Sequence, residues 1–247
     1  MHERQVTTDD GACPVFLHVP AEGEGPWPGV VVYMDGPGIR PAIHAIAARL
    51  AAGGFAVALP DLFWRAGPYP PVDPRRVFTD PALKERHRAT LMASATPANV
   101  MTDTRALLAA MREWAEVAAG PVGVVGYCMG GRLALIAAGT FPTEVAVAAS
   151  FHAGGLADDR PTSPHRLAPA MTARVYVAGA IDDANFDDAM KARLEGALRD
   201  SGVDHRVETY PARHGWVPAD TAAHDPAEAE HHWRELMLLL ADGLGRG

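Results

Sequence analysis

The sequence predicts an α/β fold with a mostly parallel central sheet, an N-terminal antiparallel hairpin, and helices on both faces. Three observations predict it. Short β-rich runs alternate with segments of helical period along the 247 residues, the pattern of parallel strands joined by helical crossovers. The runs are apolar throughout instead of alternating with polar residues, as expected of strands covered on both sides. A turn signal at Asp10-Gly11 divides "RQVTTDDGACPVFLHVP" into two segments that pair as a hairpin.

After the hairpin, "VVVYM" (30–34) reads as a strand, and Ile43, Ile46, Ala47 and Leu50 share one face of the helix that follows. The next strand is "FAVALP" (55–60). Residues 64–97 are rich in proline and charge and break the strand–helix rhythm. They read as an excursion over the C-terminal edge of the sheet, holding one short helix near 81–93, and a connection of that length is expected to serve a site. Val100, Leu107, Leu108, Met111 and Trp114 mark the inner face of the next helix. The remaining strands are "VGVVG" (122–126), "VAVAAS" (145–150), "RVYVAG" (174–179) and "HRVETY" (205–210). With no internal repeat, low-complexity tract or boundary, residues 1–247 read as one domain.

A net charge of −8 leaves no basic surplus to neutralise phosphates, which argues against nucleic acid or an anionic membrane surface as partner. The longest strongly apolar stretch near the end, "LMLLLA" at 236–241, is far short of the ~20 residues a membrane helix needs. Two cysteines, Cys13 and Cys128, are too few for a disulfide framework, and the N-terminus carries no signal-like apolar run. The expectation is a cytoplasmic protein, monomer or homodimer, acting on a small molecule. No metal is expected: His231 and His232 are adjacent, so they do not share a helix face, and no H-E-x-x-H occurs. Both read as solvated.

The stretch "GVVGYCMGGRLAL" (123–135) places Cys128 where a strand turns into a helix, as G-x-C-x-G. This is the pattern of a nucleophile elbow. A residue held on so sharp a turn needs neighbours without side chains two positions away, and Gly126 and Gly130 stand there. The following helix points its N-terminus at the sulfur, which favours the thiolate. A nucleophile needs a base and the base an orienting acid. Asp182 or Asp183 follows the strand "RVYVAG", and His214 follows "HRVETY", giving the order nucleophile, acid, base found in α/β-hydrolases. His152, at the end of "VAVAAS", reads as pocket wall or structural hydrogen-bonding group, and His205 begins a strand, too far from the C-terminal edge. An oxyanion hole asks for the amide of Met129 and a second amide from "MDGPGIR" (34–40), for which Gly36 is the candidate. Asp35 beside it would oppose a thiolate unless something relieves it.

With these residues in hand, the chain resembles the dienelactone hydrolase family of α/β-hydrolases over nearly its whole length. "GYCMGG" looks like the family's cysteine elbow, "PDLF" (60–63) like its strand-end signature, and "YPARHGW" like its histidine segment. Laying "RVYVAGAIDDANF" over the family pattern favours Asp183, with Asp182 as fallback. Asp35 looks like the occupant of an acidic position, usually glutamate, that pairs with the cysteine until substrate displaces it. The family's lactone-cleaving members carry a substrate-binding arginine where this chain has Pro218, and Arg86 or Arg88 resembles a second one. The resemblance implies a cofactor-free hydrolase of esters or lactones working through an acyl-enzyme. The alternatives are a ligand-binding or thiol redox-sensing protein on the same fold, or an acyltransferase. Tyr127 and Trp216 are placed with the pocket, and Trp216, Trp64 and Tyr69 are expected at its mouth. An apolar mouth without the usual arginine predicts a preference for neutral substrates, with Arg86, Arg88 or Arg40 as replacement clamps should a carboxylate be preferred.

Overall fold

The continuous apolar runs become the centre of the sheet. In the computed structural model, which describes residues 1–245, strands β3 (Gly29–Tyr33), β4 (Ala56–Pro60) and β5 (Val122–Tyr127) are buried at every position. Such strands hold together only with helices over both faces. Around them lie β1 (His2–Thr8), β2 (Gly11–His18), β6 (Val145–Phe151), β7 (Arg174–Ala180) and β8 (His205–Tyr210), in the order β1-β2-β4-β3-β5-β6-β7-β8. The hairpin β1–β2 is antiparallel and joins β4 antiparallel, while the other neighbours run parallel. The C-terminal ends of β3, β5, β6, β7 and β8 therefore lie along one edge.

The helices are α1 (Pro41–Ala52), α2 (Pro81–His87), α3 (Pro97–Arg112), α4 (Met129–Thr140), α5 (Asp188–Asp200) and α6 (Pro226–Gly243). Side chains cap several where the sequence supplies an acceptor: Thr96 for α3, Asp187 for α5 and Asp225 for α6. Ile43, Ile46, Ala47 and Leu50 face the core from α1, and Val100, Leu107, Leu108 and Met111 from α3. Trp114 falls beyond the end of α3 and instead lies under the Arg4 guanidinium, 4.7 Å from its ring centre. On α6, Ala229, His232, Trp233, Leu236 and Leu240 are buried. His232 is thus a core residue, contrary to the solvated role expected of it; it lies on the apolar stripe of the helix.

The excursion lies over the same edge as the strand ends. Its helical segment is α2 followed directly by a π-helical turn, Arg88–Met92. Arg65 anchors its start through paired hydrogen bonds to buried Asp103 of α3, at 2.6 and 2.8 Å, and reaches Asp10 in the hairpin turn. His87, buried, binds the Gly36 carbonyl through Nε2 at 2.7 Å.

The turn after β5 explains its glycines. A Cβ on Gly126 would overlap the Gly130 carbonyl, and one on Gly130 would overlap the Tyr33 carbonyl. Backbone cannot give way as a side-chain tip can. Gly126→Ala or Gly130→Ala is therefore expected to destabilise the fold by about 3 kcal/mol or more. Gly196 within α5 has only the tip of Arg199 within 4 Å of a Cβ, and Gly196→Ala is expected to stabilise by ~0.5–1 kcal/mol. Thermal melts decide it, at about 2–4 °C per kcal/mol for a chain of this size.

Candidate active site

Cys128 sits between β5 and α4 with φ 53° and ψ −116°, a conformation that costs on the order of 1–3 kcal/mol and is kept where structure around it demands it. Its amide donates to the Phe151 carbonyl of β6 at 2.9 Å. The non-glycine residues at positive φ among those described are Cys128, His152 and Asp182, which follow β5, β6 and β7. Backbone strain is concentrated at this edge. The other thiol, Cys13, is buried in β2, and burial pushes it far up, with Asp103 and Asp61 adding to the effect.

His214, on the segment after β8, binds Asp183 on the loop after β7, with Nδ1 to Oδ2 at 2.7 Å. The Asp183 side chain is 3 % exposed and that of His214 is 34 %. The second Asp183 oxygen accepts from the amide and the side chain of Asn185, both at 2.9 Å. Asp182 is exposed, and Asp183 is the aspartate that stands against the histidine. Burial would push His214 down, but its hydrogen bond to Asp183 and the nearby Cys128 overcome this and raise it to about 10. Burial would likewise raise Asp183, and the bonds from His214 and Asn185 bring it down to about 2. The imidazole thus holds a proton through the neutral range and faces the thiol with one nitrogen while the carboxylate holds the other.

His152 is buried, with its ring centre 5.2 Å from that of His214 and 5.0 Å from Trp216. Burial and the neighbouring His214 push it well below the usual histidine range, so it is a neutral wall. Asp35 and Gly36 follow β3 on the opposite side of Cys128. Both Asp35 oxygens accept from Arg40, at 2.5 and 2.8 Å. A cavity of about 360 Å³ is lined by Asp35, Cys128, His152 and His214, with Phe78, Arg75 and Lys84 contributed by the excursion. Among the described residues no group of side chains is arranged to hold a metal ion.

Several expectations are corrected. Tyr127 does not line the cavity: it is wholly buried beneath the elbow, stacked on Phe151 at 5.6 Å, with its hydroxyl 3.1 Å from His232 Nε2. Trp216 is also wholly buried, stacked 5.1 Å from Tyr210. Trp64 and Tyr69 line a separate recess with Asp61. Arg86 lines another recess of the excursion, Arg88 pairs with Glu85 at 3.5 Å, and Arg40 is engaged with two carboxylates. The cavity mouth instead carries two cations, Arg75 and Lys84, that have no ion-pair partner among the described residues, beside Phe78. The proline-rich excursion gave the place but no periodicity from which to choose among its arginines and its lysine.

The model of the dienelactone hydrolase family matches residues 14–243. A Synechocystis protein provisionally named a carboxymethylenebutenolidase is 24% identical over 219 residues, covering 87% of this chain and 86% of its own. A carboxymethylenebutenolidase of Pseudomonas sp. is 35% identical over 121 residues, 48% of this chain and 46% of its own. Among solved structures, the dienelactone hydrolase of Anabaena variabilis superposes with a TM-score of 0.70 at 17% identity, covering 98% of this chain and 97% of its own. That likeness speaks for the fold. Among the described residues no helix is long and apolar enough to cross a membrane.

The balance at His214 is directly measurable. Cys128→Ala removes one of the two partners that raise the imidazole and leaves burial in place, so the His214 pKa is expected to fall below that of the unsubstituted protein. An NMR titration of the ring in both proteins checks it; an unchanged value would mean that Cys128 and His214 do not interact.

Proposed function

This chain belongs to the dienelactone hydrolase family, and on that premise we propose that it cleaves carboxylic esters or lactones through Cys128, His214 and Asp183. The observation that carries the reading is the thiol held on a strained turn in one cavity with a histidine whose Nδ1 is bound by a nearly buried aspartate. The Cys128 sulfur attacks the carbonyl carbon, and the negative charge that develops on oxygen meets the amides of Met129 and Gly36. The carbon–oxygen bond of the ester breaks as His214 gives its proton to the departing alkoxide. The resulting thioester is attacked by water, whose proton His214 takes. Collapse of that intermediate releases the acid and frees the sulfur. Asp183 fixes the ring orientation and stabilises the imidazolium.

Incubation with a short-chain chromogenic ester tests the reading. The expected outcome is a burst of alcohol with an acyl mass on Cys128, lost in Cys128→Ala. Asp183→Asn is expected to lower kcat by about 10⁴, as when a triad acid is neutralised, and Asp182→Asn to leave it little changed. Turnover without any mass on Cys128 would refute the role given to the thiol.

The mouth narrows the substrate class. Arg75 and Lys84 face a cavity with Phe78 between its apolar walls and the solvent, which suits an ester or lactone carrying a negative group and replaces the neutral preference expected from Pro218. Both cations are exposed, so each contributes no more than about 1 kcal/mol. Relative to a neutral compound of the same size, a carboxylated lactone is expected to lose roughly tenfold in kcat/KM in the variant Arg75→Met/Lys84→Met, chiefly through KM. Raised salt should reduce the difference in the unsubstituted protein.

A further inference from the structure

Asp35 and Arg40 are both buried, 3 % and 5 % exposed, and the reaction outlined above gives neither a step. Arg40 uses its whole fork. Beyond the two bonds to Asp35, Nε and Nη2 reach Asp220 at 2.7 and 3.1 Å, and Nη1 reaches the Gly38 carbonyl at 3.1 Å. Asp220 follows His214 on the segment after β8, and Asp35 and Gly36 follow β3. One side chain therefore ties the loop that offers the Gly36 amide to the segment that carries the histidine. A buried ion pair such as Asp35–Arg40, with the half-exposed Asp220 at its outer end, is a poor source of net stability compared with apolar packing. Its placement beside the thiol asks for another reason.

We infer that Arg40 is a positioning residue that keeps Asp35 an ionised spectator beside Cys128 and fixes the Gly36 loop to the His214 segment, so that the thiol proton passes to His214 and not to Asp35. The inference rests on Cys128 being the nucleophile, and it replaces the pairing of Asp35 with the cysteine that the family resemblance implied. An unpaired carboxylate at this position would oppose negative charge on the sulfur; paired with a guanidinium, it does not. The groups facing Asp35 are Arg40 on its own loop and Asp220 after β8. Across the cavity stand Cys128, His152 and His214 at strand ends, and Arg75, Lys84 and His87 on the excursion. Burial pushes the Asp35 carboxyl up, with Asp220 adding to the rise, and it stays above the ordinary carboxylate value although the Arg40 bonds oppose it; the fork that holds both of its oxygens is what favours the ionised form.

Arg40→Met, Asp35→Asn and the double variant test it in the full chain. In Arg40→Met the folded state holds a proton on Asp35 at a pH where the unfolded chain has released it. Stability relative to the parent is then expected to fall as pH rises above the ordinary carboxylate range toward the raised value of Asp35. The acid limb of kcat/KM should move to higher pH, because Asp35, as it loses that proton, becomes an uncompensated carboxylate that opposes charge on the sulfur. Adding Asp35→Asn to Arg40→Met should abolish both pH effects, and Asp35→Asn alone should leave the acid limb where it is in the parent. Should Arg40→Met not fold, Arg40→Lys keeps the charge without the fork and is expected to show the same shifts, smaller. Loss of turnover at every pH in Asp35→Asn, with kcat not recovered at high pH, would make Asp35 a proton carrier and overturn the inference. So would an Arg40 variant with the parent's pH dependence. Absence of an acyl mass on Cys128 in the parent would instead refute the proposed reaction, while the melting profiles still report on the Arg40–Asp35 pair.

Discussion

The constraint on which the rest depends is the left-handed backbone of Cys128 at the end of β5. A side chain lifted above a parallel sheet in this way needs a close passage between the strand, the helix it opens and the loop beyond β3, and Gly126 and Gly130 provide it. From that point the edge is laced by backbone hydrogen bonds. The Cys128 amide binds the Phe151 carbonyl, that of His152 binds Ala178, and that of Ile181 binds Ala212, at 2.9, 2.9 and 3.0 Å. The first two tie a strand-end turn to the next strand, and the third ties the loop after β7 to the segment after β8. The loop carrying Asp183 and the segment carrying His214 are thereby set relative to the thiol by the sheet itself, with the side-chain bond between them closing the arrangement.

Charge at this edge is divided into two separate systems in a chain of net charge −8, and in the second of them one guanidinium is shared by two carboxylates. Asp183 and His214 form one, and Asp35, Arg40 and Asp220 the other. His152 stands beside the first as a neutral ring, held so by burial and by its neighbour. The separation matters because two carboxylates facing one sulfur would both oppose its ionisation. Here one is committed to an imidazole and the other to a guanidinium. The linkage to stability has opposite signs on the two sides of the Asp183–His214 pair. Asp183, lowered, contributes above the unfolded carboxylate range and loses that contribution as pH falls through about 2. His214, raised, contributes fully below the ordinary histidine value, and that contribution is lost as pH rises through about 10.

Features set by local pattern were legible in the sequence. Strands β3 to β8 appear within a residue of their expected ends, since continuous apolar runs between turn signals leave little freedom. The elbow was legible because its steric demand is met by glycines at fixed spacing. Long side chains were harder to place. Arg40 and Asp220 are 180 residues apart, and no spacing rule connects them. Tyr127 and Trp216 flank chemical residues in the chain, yet Tyr127 is the last residue of a strand buried on both faces and Trp216 folds back onto Tyr210. His232 was readable after all: it falls on the same helical stripe as Ala229, Leu236 and Leu240.

The floor and the mouth of the cavity are built differently, and the difference bears on how specificity can vary. Cys128, His152, Asp183 and His214 stand on strand ends whose backbone bonds leave them little room. The mouth belongs to the excursion, which has no strand and rests on side-chain anchors: Arg65 on Asp103, Tyr69 on Asp61, His87 on Gly36, and Arg75 on the Asp220 carbonyl. Arg75 and Phe78 lie on the stretch between the first two anchors and α2, and Lys84 lies on α2 itself. Substitutions there alter what meets the substrate without entering the sheet. His87 is the exception, because its bond to the Gly36 carbonyl joins the excursion to the loop after β3 that holds Asp35 and Gly36. A change at the mouth that moves α2 therefore reaches the loop after β3 through His87, whereas one that only exchanges the charge at Arg75 or Lys84 does not.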